Sequence, residues 1–276
     1  MNLTQLRENT HRFMQVKRCP ILFVTETNHI ASKRSVGLLE TKNNIEIAIV
    51  SKHYKVLQHN EVSDSVCDAL QNLNLDADAK VRDGGSRLFI DFEFPNIKLL
   101  LSEVGEEFVG GVRIVNSYDK STGVMVLPML KRLACSNGMI MTAGYVKPFS
   151  VKHTSKLVAD LQKIIPQILK DLVDNSPKLQ ALVTNAIGDS CEFAEIKEIA
   201  KKLIPTKKHR EGVITILDTP ANAQLGSVHR WQFYNAITYY CSHAEKLRPT
   251  TEMALQNIAG RLLVTTFERL KQRDNI

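Results

Sequence analysis

Apolar and polar residues alternate through most of the first half of the chain, which predicts β-strands. In IEIAIVS (45–51) the alternation is combined with β-branched residues, which is typical of a half-buried strand. Asp83-Gly84-Gly85 separates two alternating runs and predicts a hairpin. In the second run, RLFIDFEF, the apolar set around Phe92 shares one face, and Asp91 and Glu93 share the other. Further strands are predicted at 20–26, from about 37, and at 97–104, 108–119 and 123–130.

Apolar positions with helical spacing interrupt these strands once and then dominate the second half. NEVSDSVCDALQNLNL (60–75) repeats apolar residues at the period of a helix. After Pro148 we predict helices with a kink or break at Pro166, a basic loop at 206–212 and a short strand at 211–218. The predicted helices cover 153–175, 178–204, 227–247 and 251–273.

This order of elements predicts the α+β fold class rather than an alternating α/β fold. We expect an antiparallel β-rich N-terminal half with one inserted helix, residues 1–148, followed by a helical C-terminal half, residues 149–276. The helical region is expected to pack on the β-rich core as one compact unit, because no flexible linker follows Pro148.

Composition narrows the class of protein. The 276 residues are 43% hydrophobic, which is enough for a substantial core. No segment approaches the roughly 18 apolar residues of a membrane span, and the N-terminus lacks the order of a signal peptide. We therefore expect a soluble, cytoplasmic protein. The chain has five cysteines, and no two of them have C-x-x-C spacing. This pattern argues against a disulfide framework and against a zinc ribbon, so we expect reduced and mostly buried thiols.

The net charge of +7 fits either an ordinary basic protein or one that binds a polyanion. Basic residues recur through the β-rich half: Lys33-Arg34, Lys52 with Lys55, Arg82 with Arg87, Arg113 and Lys131-Arg132. Lys207-Lys208-His209-Arg210 forms a separate cluster. Aromatic residues that could stack on bases, Tyr54 and Tyr118 among them, lie near the first set. Solvated charges on exposed faces explain the same pattern.

Catalytic and metal-binding alternatives have weaker support in the sequence. Cys135 follows a predicted basic helix with Lys131-Arg132, which would lower its pKa, but a buried structural cysteine fits equally well. Asp91 and Glu93 are spaced like the carboxylates of a nuclease, or like a solvent-facing strand edge. The eight histidines are scattered without metal-ligand spacing, and no phosphate-binding glycine loop occurs, so no cofactor is expected.

Three blocks of the chain resemble a known family. They are SKHYKVLQHNEVSDSV, VNSYDKSTGVMVLPMLKRLACSNGM and HRWQFYNAITYYCSH. The family is the phage- and plasmid-related domain-of-unknown-function family numbered 932, and the resemblance spans about 45–250. Tyr118 departs from its pattern, which often has His there. The matching residues are Ser51, Tyr54, Asn116, Ser117, Tyr118, Asp119, Arg132, Cys135, Asn137, Gly138, Trp231, Asn235, Ala236, Thr238 and His243.

The mobile-element context of that family suggests DNA metabolism. The order of strands and helices is also loosely similar to phage single-strand annealing recombinases of the RecT, Redβ and Erf type, which bind single-stranded DNA as oligomers without a nucleotide. We therefore expect a non-enzymatic, annealing-type protein that binds single-stranded DNA as a homo-oligomer. A single-strand-binding protein or a nuclease is a candidate partner.

The residues assigned to the nucleic-acid interface are Lys33, Arg34, Lys52, Tyr54, Lys55, Arg113, Tyr118, Lys131 and Arg132. Two other hypotheses stay open. The first is a protein-interaction factor that modulates host machinery by pairing its basic faces with an acidic protein surface. The second is a metal-dependent nuclease or other hydrolase that uses Asp91, Glu93 or Cys135.

Overall fold

The computed structural model describes residues 1–101, 105–132, 138–140, 149–151, 156–218, 226–244 and 247–272. Its fold class is α+β, with antiparallel sheets in the N-terminal half and helices in the C-terminal half, as the sequence predicts. The β-rich half contains α1 (Leu3–Asn9), β1 (Val16–Val24), β2 (His29–Glu40), β3 (Glu46–Ser51), α2 (His59–Asn72), β4 (Asp78–Asp83), β5 (Arg87–Leu101), β6 (Glu106–Ser117), β7 (Val124–Arg132), β8 (Gly138–Ile140) and β9 (Phe149–Val151).

The helical half contains α3 (Leu157–Asp174), α4 (Ser176–Gly188), β10 (Ser190–Glu192), α5 (Phe193–Leu203), α6 (Lys207–Leu217), β11 (Ser227–His229), α7 (Arg230–His243), α8 (Pro249–Val264) and α9 (Phe267–Gln272). We predicted a kink or break at Pro166, and the helix does not break there, because α3 continues through it. The predicted basic loop and late strand at 206–218 are also wrong, because this segment forms α6.

The described strands form separate sheets. β1, β2 and β3 form an antiparallel three-stranded sheet, which we call the small sheet. The second sheet has the order β4-β5-β6-β7-β8, with β9 also paired to β7. Lys131 and Arg132 end β7 as a strand, so the basic helix predicted there is wrong. Gly138, which follows this segment in the family pattern, begins β8.

Contacts divide the chain into two compact units. The first comprises 1–95, 112–127 and 148–167, and the second comprises 96–111, 128–147 and 168–276. In the first unit, the small sheet packs through Val16, Leu38 and Val50 around Tyr118. In the second unit, the buried guanidinium of Arg230 binds the Asp189 carboxylate (2.5 Å) and donates to backbone carbonyls, including that of Leu262 (2.6 Å).

The described cysteines carry free thiols. Cys67, Cys191 and Cys241 are buried and Cys19 is half-buried, as expected for reduced structural cysteines. Among the described helices, none is long and apolar enough to cross a membrane.

Candidate nucleic-acid interface

Lys33 and Arg34 lie in a bulge of β2. β1 and β2 pair regularly from Val16 to Pro20, and residues 32–35 then face the single residue Ile21 before the pairing resumes at Leu22. The Ser35 N–H donates to the Ser32 hydroxyl (3.1 Å), which closes the bulge locally. Both cationic side chains are exposed. A bulge changes the direction of side chains where regular strand pairing is interrupted. Here it leaves two consecutive cationic side chains exposed to solvent.

Arg34, Lys52 and Arg18 are brought together across the three strands. The Lys52 N–H donates to the Arg34 carbonyl (2.9 Å), so these residues lie opposite each other where β3 ends. The Arg18 guanidinium donates to the Lys52 carbonyl (2.5 Å). Like charges directly opposite each other in a sheet are destabilising. We call Arg18, Lys33, Arg34 and Lys52 the cationic end of the small sheet.

Two members of the cationic end, Arg18 and Arg34, are in phase with the packed face of the small sheet. Opposed residues share a face, and the register places Arg18 opposite Leu38 and Val36 opposite Val50. Arg34 precedes Val36 by two residues in β2 and is therefore in phase with it. The apolar half of this face is covered by the core of the first unit. Within the described part of the chain, no acidic side chain forms an ion pair with any residue of the cationic end.

The hairpin arm formed by residues 21–31 exposes apolar side chains. Phe23 is 59% exposed and pairs with Ile30, which is 54% exposed. Leu22 and Val24 are also exposed. The sequence analysis missed Phe23 as a site residue. The sequence feature that could have indicated it is the unbroken apolar run ILFV, because a strand with one solvated face usually alternates apolar and polar residues.

Tyr54 and Lys55 follow β3 in the same unit. Lys55 is exposed, and the half-buried Tyr54 ring packs against the core cluster that contains Val50 and Tyr118. Burial, followed by the charge of Asp119, raises the pKa of the Tyr54 phenol. Tyr54 therefore anchors the segment that carries Lys52 and Lys55, with only part of its ring available for stacking.

Arg113 is not on the surface. Its side chain is 3% exposed, and its guanidinium donates to both oxygens of the Asp91 carboxylate, from Nε (2.5 Å) and Nη2 (2.7 Å). Arg82 donates to the same carboxylate (2.8 Å). Burial raises the pKa of Asp91, but the charge of Arg113 and its hydrogen bonds outweigh burial, so the pKa lies below its usual range. Arg113 is therefore withdrawn from the interface.

The same ion pair changes the interpretation of β5. The alternation of the strand was predicted correctly, but its second face is not solvated, because Phe89 and Asp91 are 2% and 6% exposed. Asp91 is held between guanidinium groups, which is an internal structural role. Within the described ranges, no group of three or more His, Cys, Asp or Glu side chains is arranged to hold a metal ion.

Tyr118 is also buried and supports the fold. Its hydroxyl accepts from the His59 N–H (2.7 Å) and lies within hydrogen-bonding distance of the Met14 carbonyl (2.9 Å) and the Gln58 side chain (3.1 Å). Its ring stacks on the His59 imidazole at 4.0 Å between centroids. Tyr118 is 1% exposed, so it does not stack on bases and is withdrawn from the interface.

Removing the Tyr118 hydroxyl is expected to destabilise the protein. In Tyr118→Phe, the buried His59 N–H loses its acceptor, and we expect the free energy of unfolding to fall by about 1–3 kcal/mol. Urea denaturation of the variant and the parent measures this difference. Tyr239→Phe changes an exposed tyrosine and is the control. A loss no larger than that of the control would contradict the bridging role of Tyr118.

Lys131 and Arg132 lie in the second unit, whereas the small sheet belongs to the first. Both are half-buried at the end of β7, where Lys131 pairs with Gly138 of β8. Asn116, one of the residues that match the family pattern, is fully buried in β6 and donates to the Leu57 carbonyl (3.1 Å). Cys135 and Asn137 fall outside the described residues, so the hypotheses built on them are not addressed by the structure.

The comparisons with known proteins give one result. A family model described as Domain of unknown function (DUF932) matches residues 46–260, in agreement with the family resemblance of the sequence. Comparison with curated proteins and with solved structures gives no match. The matched range contains Lys52 and Tyr54, whereas Arg18, Lys33 and Arg34 precede it.

Proposed function

Because the chain belongs to the DUF932 family, whose description assigns no activity, we propose a function from its cationic end: the protein binds single-stranded DNA and promotes strand annealing. The observation that carries this proposal is the meeting of Arg18, Arg34 and Lys52 across three strands without an acidic partner among the described residues. A polyanion relieves the repulsion among these cations, and its bound counterions are released on binding.

The hairpin arm supports a single strand rather than a duplex. Bases of a single strand are unstacked and accessible to aromatic side chains, and stacking on one aromatic ring contributes about 1–3 kcal/mol. Phe23 is exposed on the same hairpin as Lys33 and Arg34. In our proposal the cationic end binds backbone phosphates and Phe23 stacks on a base. We further propose that the protein acts as a homo-oligomer, as the phage annealing recombinases that the sequence analysis suggested do.

Replacing two cations is expected to reduce the salt dependence of binding. Each phosphate contact to a single strand contributes about 0.7 to the slope of log K against log salt, so Arg34→Gln/Lys52→Gln should make the slope shallower by about 1.4. Fluorescence anisotropy of a labelled oligonucleotide across a salt series measures the slope.

The matched control is Lys42→Gln/Lys80→Gln, which removes the same charge from exposed positions of the first unit. An unchanged slope in Arg34→Gln/Lys52→Gln, or an equal change in the control, would remove the cationic end as the interface.

Replacing Phe23 tests the stacking role separately from charge. Phe23→Ala is expected to weaken single-strand binding about 5- to 150-fold, the equivalent of one lost stacked base, while the salt slope stays that of the parent. The readout is the same anisotropy titration, with Leu22→Ala as the control on the same arm. Parent-like affinity in Phe23→Ala would show that the aromatic side chain takes no part.

A second candidate function is a protein-interaction factor with an acidic partner. The observation that favours it is the exposure of the aliphatic side chains Leu22, Val24 and Ile30 beside the cations, at 52%, 70% and 54%. Such a surface fits a protein interface with an apolar centre and a charged rim. Folded protein that binds neither single-stranded nor duplex DNA at low salt would favour this function.

A further inference from the structure

A second cationic surface is formed by the adjacent helices α5 and α6. Lys197 and Lys201 lie one turn apart on α5, and Lys207 and Arg210 lie three residues apart on α6. Together with Glu211, they line a cavity of about 390 Å³. Four cations and one carboxylate therefore line a common space, together with Ile214 and Thr215. We call this surface the α5–α6 cleft.

The charge arrangement of α6 is unfavourable without an anion. Its first turn carries Lys207, Lys208, His209 and Arg210 and no acidic residue. The N-terminal end of a helix already carries partial positive charge, so cations there are destabilising. An approaching anion is attracted by both the side chains and the helix end.

The fold directs the cations of α6 into the cleft. α6 packs on α7 through Gly212, where an added Cβ would lie 2.3 Å from the Tyr240 ring. His209 faces the same helix, with Nδ1 2.9 Å from the Tyr240 hydroxyl. The opposite side of α6 is left for Lys207 and Arg210. The Arg210 guanidinium donates to the Ile204 carbonyl (3.1 Å), which holds the turn between the helices.

The present partners of the lysines are weak competitors for an anion. Lys201 pairs with Glu198 at 2.6 Å and Lys207 pairs with Glu211 at 3.7 Å. All four side chains are 58–78% exposed, and exposed ion pairs contribute little to stability. A phosphate group can therefore bind both ammonium groups without a large loss of existing interactions.

We propose that the α5–α6 cleft is a second nucleic-acid contact, which binds backbone phosphates through Lys197, Lys201, Lys207 and Arg210. The ligand class rests on the proposed function, but the surface belongs to the second unit and is separate from the cationic end. A protein with two phosphate-binding surfaces can hold two strands, or two parts of one strand, which annealing requires.

Hydrogen–deuterium exchange of the full chain, with and without a single-stranded oligonucleotide, tests the cleft. We expect the amides of residues 197–215 to be protected on binding, and the protection to be lost in Lys201→Gln/Lys207→Gln. The salt slope of that variant is expected to be shallower by about 1.4, for two lost contacts. Lys170→Gln/Lys178→Gln, with the same charge change on α3 and α4, should behave like the parent.

The two proposals fail in different ways. If the parent binds DNA and Arg34→Gln/Lys52→Gln weakens binding, but Lys201→Gln/Lys207→Gln does not, the cleft is overturned and the cationic end stands. The reverse pattern supports the cleft and overturns the cationic end. Protection of 197–215 by tripolyphosphate but not by the oligonucleotide would overturn the nucleic-acid assignment of the cleft.

Discussion

Asp91→Ala lowers the free energy of unfolding by about 3–5 kcal/mol, which is the largest single effect we expect. The substitution removes the carboxylate that binds both Nε and Nη2 of Arg113 and leaves a guanidinium that is 3% exposed without this counterion. The desolvation penalty of the buried guanidinium is then no longer offset by this carboxylate. Guanidinium chloride denaturation of the parent and the variant measures the loss.

The double variant Asp91→Val/Arg113→Met removes both partners of the ion pair and so tests whether the instability of Asp91→Ala comes from the buried charge that it leaves behind. Replacing a buried ion pair with apolar groups of similar volume is often close to neutral, so most of the lost stability should return. Because Arg113 is internal, the double variant should also bind single-stranded DNA like the parent. A double variant as unstable as Asp91→Ala would refute this account of the pair, and a loss of DNA binding in a folded double variant would return Arg113 to the interface.

We expect His59 alone to lower the free energy of unfolding by about 3 kcal/mol between pH 7 and pH 4. Burial lowers the pKa of this imidazole from 6.5 to about 4, although the Gly85 carbonyl and the charge of Asp83 act in the opposite direction. Between these values the unfolded chain binds a proton and the folded chain does not. Stability is therefore lost as pH falls below 6.5, and the loss levels off as pH falls through 4.

The hydrogen bonds of His59 explain why the neutral form is required. Nε2 lies 3.0 Å from the Gly85 carbonyl and donates to it, so Nδ1 is the acceptor for the Asn116 amide at 3.0 Å. A proton on Nδ1 would face the Asn116 N–H group, which is itself oriented by its bond to the Leu57 carbonyl. Gly85 has φ +78°, a backbone conformation that glycine adopts without strain, and in this conformation its carbonyl accepts from the His59 ring.

His59→Gln provides the comparison, since glutamine does not titrate in this range. Denaturation at pH 7, 5.5 and 4 should show a difference between parent and variant that changes by about 3 kcal/mol, whatever the absolute stability of the variant. NMR titration of the His59 ring protons in the parent is an independent measurement. A ring that titrates near pH 6.5 while the protein stays folded would contradict the prediction.

The sequence alone determined the fold class and the family of this chain. Hydrophobic periodicity is a local property, so the strand at 45–51, the inserted helix and the hairpin at Asp83-Gly84-Gly85 were predictable from it. The prediction at 206–218 was wrong because a run of charged residues resembles a loop. This segment forms α6, in which Val213 and Leu217 are buried. The charged residues of α6 lie on the side of the helix away from these buried residues, and this arrangement is seen only in the packed structure.

Tertiary structure decided which basic and aromatic residues are available to a ligand. Arg34 and Arg113 both lie in strands, and both were predicted from the sequence to contact nucleic acid. Arg34 lies at the end of the small sheet, beyond its packed face, whereas Arg113 faces Asp91 from a neighbouring part of the fold. Burial depends on what covers a face, and pairing depends on residues distant in sequence. For this reason the sequence was enough to identify candidate cationic residues, but only the fold showed which of them are exposed and which are buried.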